Sequence, residues 1–416
     1  MNRKLRMDAE QIMRDSLKAV LPDEAVRRAL AEFRPMGGRT ILIAAGKAAW
    51  QMAKAASEAL EDIDGGVVIT KYGHVKGEIP GVRCFEAGHP VPDENSFSAT
   101  RKALALVRSL TAADTVLFLL SGGGSALLED PLLPGPELQE ITKQLLASGA
   151  EIGEINTIRK RLSGVKGGRF ALACAPAMVY SIVLSDVLGD PLDMIASGPA
   201  YPDGTTCEMA EAIAEKYKLR LSPEAGRLLA QETPKDLPNV VTQITGSVRE
   251  LCAAAGRACR QLGYEPVLLT DQLSCEAREA GRFLSAILRT HAVWNRKLAF
   301  LAGGETVVHL TGSGLGGRNQ EIALAASEGI AGISGAAVFS FGSDGTDGPT
   351  DAAGGYVDGD SLSELREKGL DVFSVLREND AYHALKATGG LLITGPTGTN
   401  VNDVSIALLD PELKTP

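Results

Sequence analysis

VLFLLSGGGS, residues 116–125, is a five-residue apolar run that stops on a polar, glycine-rich turn. A run this short, apolar at every position, reads as a strand buried on both faces, as in a parallel sheet covered by helices on either side. Gly122, Gly123 and Gly124, set between Ser121 and Ser125, let backbone N–H groups converge without Cβ obstruction. A helix is expected to open directly after them, and the two features together make a phosphate cradle. It is not a Walker A loop, because G-x-x-x-x-G-K-[ST] is absent. Working outward, the same grammar recurs. The 41–45 run ends on Gly46 and Lys47, 67–70 on Tyr72, Gly73 and His74, 179–184 on SDVLGD at 185–190, and 337–341 on GSDGTDG at 342–348. Apolar strands alternating with helical segments predict an α/β fold. Ligands of open α/β sheets bind beyond the carboxyl ends of the strands, which is where these clusters fall.

The chain has 416 residues, 44% hydrophobic and 23% charged, which excludes wholesale disorder, collagen and coiled coil. Its formal net charge of −10 argues against a nucleic-acid or anionic-membrane partner. Glycine is the unusual number: 46 in all, 15 of them within 301–360, a segment that also carries strands and a helix and so is no linker. None of the six cysteines forms a C-x-x-C pair, so reduced cytoplasmic thiols are expected. The basic N-terminus lacks the apolar core of a signal peptide. The longest apolar stretch, 171–184, contains Pro176 and is too short to span a bilayer. A soluble cytoplasmic protein is expected.

Residues 8–31 read as one or two amphipathic helices broken near Pro22. The polar run ETPKDLPN, 232–239, is the best candidate boundary, giving domains 1–239 and 240–416. After it the pattern restarts with a strand at 240–244, a helix at 247–262 and a strand at 266–269. Further strands are expected at 298–301, 306–310, 337–341, 391–393 and 404–408, the first two close enough for a hairpin in a mixed sheet. Polar clusters from both halves suggest a cleft shared by two domains.

Lys47 stands at a helix start, where the dipole disfavours a cation unless an anion is present. Arg159, Lys160, Arg161, Lys166 and Arg169 invert the local field of an acidic chain, and those near Gly167 and Gly168 suit a carboxylate or phosphate. GSGLGG, 312–317, fits G-x-G-x-x-G between an expected strand and helix, the context of a dinucleotide fingerprint. Yet Arg318 opens that helix, and Asp344, Asp347 and Asp351 follow on a glycine-rich loop. Three carboxylates there suit a divalent cation better than a dehydrogenase. Zinc spacing and the G-x-S-x-G elbow are absent. His89 reads as a satisfied loop histidine.

AAGK at 44–47, GHPVPD at 88–93, SGGGSAL at 121–127, LSDVLGD at 184–190 with ASGP at 196–199, GGET at 303–306, GGRNQE at 316–321, GTDGPTD at 345–351 and GPTGTN at 395–400 stand in one order along the chain. Over about residues 8–408 the chain resembles the glycerate 2-kinases with a C-terminal MOFRL domain, many first labelled hydroxypyruvate reductases. One departure is Arg161 in RKRLS, 159–163, where the family often has His. The resemblance implies a Rossmann-like parallel-sheet α/β domain, a MOFRL-type α/β domain and an active site in the cleft between them. It implies ATP-dependent phosphorylation of the 2-hydroxyl of D-glycerate, with Mg²⁺, and leaves homo-oligomerisation open. Lys47 and Arg318 would then neutralise the moving phosphoryl group and the glycerate carboxylate. Gly46, Ser121, Gly122, Gly123, Gly124, Ser125, Lys166 and Glu305 would bind nucleotide. Asp186 or Asp190 would orient or deprotonate the hydroxyl, and Asp344, Asp347 and Asp351 would hold Mg²⁺. The alternative reading is an NAD(P)H-dependent hydroxypyruvate or tartronate-semialdehyde reductase, supported by the 312–317 pattern.

Overall fold

The computed structural model describes residues 1–413. The chain forms two compact units, one of Pro22–Thr245 and one of Met1–Leu21 together with Gly246–Pro416.

The first unit is built on β1 (Thr40–Ala45), β2 (Gly65–Lys71), β3 (Val82–Ala87), β4 (Thr115–Leu120), β5 (Met178–Leu184) and β6 (Val240–Gly246), in spatial order β3-β2-β1-β4-β5-β6. The pairs from β3 to β5 are all parallel. Side chains alternate between two buried faces. Ile41, Ile43, Val116 and Phe118 enter one core, with Ala99, Ala103 and Leu104 of the helix Glu94–Val107. Leu42, Ala44, Leu117 and Leu119 enter the other, with Met52 and Ala53 of the helix Ala49–Ala59. That is why these runs are apolar at every position. A separate helical cluster, including Ile141, Leu145, Ile155, Ile158 and Leu228, forms from the segments flanking β5. The strand order reverses between β1 and β4, the switch point at which such sheets bind ligands.

The second unit is a mixed sheet: β7 (Glu265–Leu273), β8 (Leu298–Gly304), β9 (Ala336–Gly342), β10 (Gly354–Asp358), β11 (Leu391–Leu392) and β12 (Asp403–Leu409), in order β11-β10-β9-β12-β8-β7. Only β7 and β8 pair in parallel. The helix Arg3–Ala19 packs on the helix Val248–Gln261, and its buried Asp8 accepts from Tyr264 Oη at 2.9 Å.

The division differs from 1–239 and 240–416 in two ways. β6 completes the first sheet, and the N-terminal helix joins the second unit, because its apolar face (Leu5, Ile12, Leu17) is buried there. The expected 298–301/306–310 hairpin is also absent. β8 continues to Gly304, its antiparallel neighbour is β12, and 306–310 forms only a bridge, Glu276 with Val307. β3 and β10 lack a sequence signal: β3 is a half-exposed edge, and β10 is five residues opening on two glycines. No helix among the described residues is long and apolar enough to cross a membrane.

Candidate active site

In the first unit the switch point is locked by backbone bonds. Ser121 N donates to Ala45 O at 3.0 Å, and Lys47 N donates to Gly122 O at 2.9 Å. Ser121 Oγ accepts from Ala48 N at 3.1 Å. Gly46, at φ 129°, leaves no room for a Cβ beside Ser121. Gly46 and Ser121 therefore shape the turn. Three side chains then gather on the glycines. A Cβ on Gly122 would collide with the Asp186 carboxylate, and one on Gly123 would stand 3.0 Å from His89 Nε2 and 3.2 Å from Lys47 Cγ. Lys47 is exposed. His89, half-buried, has its pKa lowered by burial and by the charges of Lys47, Lys71 and His74, so it is neutral and not a competing cation at pH 7. The expected helix after the glycines is a single turn, Gly124–Leu127, too short to lend much dipole. Asp190, at φ 53°, buries Oδ1 without a hydrogen-bond partner.

The basic segment corrects an expectation. Lys166 is fully buried, donating to Leu128 O at 3.1 Å and Glu129 Oε2 at 2.5 Å, and burial lowers its pKa to about 8. It is an internal ion pair, not a nucleotide ligand. Lys160 bonds Asp193 and Asp203, Arg161 bonds Thr205 and the 157 carbonyl, and Arg169 bonds the carbonyls of 160 and 163. Only Arg159 of the five reaches the glycine loop, donating to Ser125 O at 3.1 Å.

In the second unit Gly304 and Gly342, at the ends of β8 and β9, both lie opposite Asp403 at the start of β12. Arg318, at the head of the helix Arg318–Ile330, reaches across to this point. Its Nε and Nη2 grip Asp403 at 2.5 and 3.1 Å, and its Nη1 donates to Glu305 at 2.7 Å. Burial disfavours the Arg318 charge, but these two carboxylates more than offset that and hold it protonated. Glu305 thus positions Arg318. Asp403 carried no signal in the sequence beyond being a lone acid before an apolar run.

Asp344, Asp347 and Asp351 do not form a metal cluster. Among the described residues the one three-ligand grouping is Cys207, Glu208 and Glu232, in the other unit. Asp347 is buried and caps the helix Arg318–Ile330: it accepts from Asn319 N at 3.1 Å and Gln320 N at 2.8 Å. Asp344 accepts from Thr346 N, and Asp351 from Tyr382 Oη. The dinucleotide fingerprint dissolves as well. Gly312 N donates to Asn379 Oδ1 at 2.9 Å, Gly314 N to Glu378 O at 2.8 Å and Leu315 N to Asp380 Oδ1 at 2.9 Å. Gly312 and Gly314 allow close packing against 378–380, and the amides of Gly312, Gly314 and Leu315 are engaged by the chain's own oxygens. Residues 305–311, directly before it, form no strand beyond the bridge at Val307.

Residues 8–230 match the family model described as a domain of unknown function, DUF4147, and residues 298–403 match the MOFRL family. A D-glycerate 2-kinase from Thermotoga maritima is 52% identical, over 97% of this chain and 98% of that one. The chain belongs to the glycerate 2-kinase family. A second member, the glycerate 2-kinase of Pyrococcus horikoshii, is 43% identical over 96% of both chains. The crystal structure of a glycerate kinase from Thermotoga maritima superposes with a TM-score of 0.94 at 51% identity, over 98% of this chain and all of that one. Hydroxypyruvate reductase is a provisional name attached to two relatives from Agrobacterium vitis. The departure of this glycerate 2-kinase family member at Arg161 lies inside the fold, where the guanidinium is fully buried against Thr205 and Asp203.

Proposed function

We propose that the protein transfers the γ-phosphoryl group of ATP to the 2-hydroxyl of D-glycerate, giving 2-phosphoglycerate and ADP. The observation that carries the reading is the gathering of Lys47, His89 and Asp186 on Gly122 and Gly123, at the switch point of a Rossmann-like sheet. Phosphoryl transfer asks little covalent chemistry of a protein and much positioning and charge stabilisation. Lys47 supplies mobile positive charge to the transferring group. Because the amides of Ser121 and Gly124 bond Ala45 O and Ser121 O, we assign phosphate contact to the amides of Gly122, Gly123 and Ser125. Asp186 takes the proton of the attacking hydroxyl as the new O–P bond forms and the bond to the ADP oxygen breaks.

The three aspartates of the 344–351 segment do not fit Mg²⁺. The buried Oδ1 of Asp190 does, being a hard carboxylate oxygen that lacks a hydrogen-bond partner. Mg²⁺ bound there would neutralise phosphate charge. The test supplies D-glycerate and Mg²⁺-ATP and follows ADP, with phosphorus–proton coupling in NMR to locate the phosphate. Hydroxypyruvate with NADH is run in parallel. Product in the first assay is expected, and turnover in the second alone would overturn the reading. Asp186→Asn should lower kcat at an unchanged Mg²⁺ requirement, whereas Asp190→Asn should raise the Mg²⁺ needed for half-maximal rate.

A further inference from the structure

We infer that Arg159 holds the carboxylate of the phosphoryl acceptor and so makes the enzyme select a hydroxy acid over a neutral polyol. This rests on the kinase reading above. Arg159 is half-buried, and its Nη2 donates to Ser125 O of the loop at 3.1 Å. A guanidinium carries five N–H donors in a planar fork that matches a carboxylate with two parallel bonds. Burial lowers the Arg159 pKa, and the charge of Glu129, itself paired with Lys166, opposes this.

Neutral polar groups line up next to it. Ser125 Oγ and Ser197 Oγ are 3.1 Å apart, and Ser197 donates to Asn156 Oδ1 at 3.0 Å. Ser197 and the adjoining Ala196 are held at φ 61° and 51°, left-handed backbone that non-glycine residues adopt at a cost of about 1–3 kcal/mol each. Gly124 permits the arrangement, since a Cβ there would stand 2.7 Å from Ala196 Cβ. A planar cation beside the half-buried Ser125 hydroxyl, which the fully buried Ser197 holds in place, is the complement of a small acid bearing a hydroxyl. Lys47 flanks Gly123 while Arg159 is tied to Ser125, so two cations address different residues of one loop. That suits two different anions, a phosphoryl group at Lys47 and a carboxylate at Arg159.

The test compares wild type, Arg159→Met and Arg159→Lys as full-length proteins, with D-glycerate and glycerol as acceptors. In Arg159→Met the KM for D-glycerate should rise about 30-fold or more, as expected for a lost charge-assisted pair, with the KM for ATP within about threefold of wild type. The kcat/KM preference for D-glycerate over glycerol should fall by a similar factor, and Arg159→Lys should recover part of it. D-glycerate alone should raise the Tm of wild type but not of Arg159→Met. An unchanged KM for D-glycerate, or a rise in the KM for ATP instead, overturns the assignment. Should Arg159→Met fail to fold, Arg159→Lys decides: a KM for D-glycerate equal to wild type overturns it. Absence of wild-type turnover counts against the kinase reading alone, and the Tm arm still judges Arg159 by acceptor binding.

Discussion

Residues of one charge type have opposite fates in this chain. Lys47 is exposed beside the glycine loop, while Lys166 is fully buried with Glu129. Lys47→Ala is expected to lower kcat about a hundredfold or more, as when a preorganised charge is removed from a developing anion, with an unchanged Tm. Lys166→Met is expected to act on stability instead. It strands the Glu129 carboxylate in the core at a cost of about 3–5 kcal/mol, measured by urea unfolding, and the double variant with Glu129→Leu should regain most of that loss. Asp347 makes a third case. Burial raises its pKa from 3.8 to about 6, although bonds from Gln320 and Asn319 oppose the shift. The folded state therefore binds more protons than the unfolded state between these values, and stability falls as pH rises from about 4 to about 6. The Tm difference between wild type and Asp347→Asn should shrink over that window. A metal-ligand role would instead show as a changed Mg²⁺ requirement at constant Tm.

Elements, unlike individual charges, were largely legible. The strands around 41–45, 116–120 and 179–184 were readable because both sheet faces are buried, so every position is apolar. β3 was not, because an edge strand with half-exposed positions carries no such run. GSGLGG misled for a physical reason: glycine marks any close backbone approach, to a phosphate or to another part of the chain, and here the neighbour is 378–380. The loop after β1 shows the same property used to build a site. Gly46→Ala combines positive φ with a clash against the Ser121 backbone. It should cost about 2 kcal/mol or more and displace Lys47, lowering both Tm and kcat.

At the scale of the molecule, the chain enters the second unit, leaves to complete the first, and returns. Residues 22–245 are contiguous and carry both cores of their own sheet. That fragment is expected to unfold cooperatively in urea. Residues 246–416 lack the helix Arg3–Ala19, whose Leu5, Ile12 and Leu17 are buried. At about 1.5–3 kcal/mol per buried large side chain, that fragment should show weak, non-cooperative unfolding until a 1–21 peptide is supplied in trans. The sequence by itself determined the α/β class, most strands and the loops that follow them, because hydrophobic periodicity is set residue by residue along the chain. Only the tertiary structure decided which charges stay exposed and which are neutralised inside. Lys166 meets Glu129 37 residues away, Gln320 meets Asp347 27 away and Arg318 meets Asp403 85 away. An ionisable group's role depends on the partners that folding brings to it, and local pattern holds no record of them.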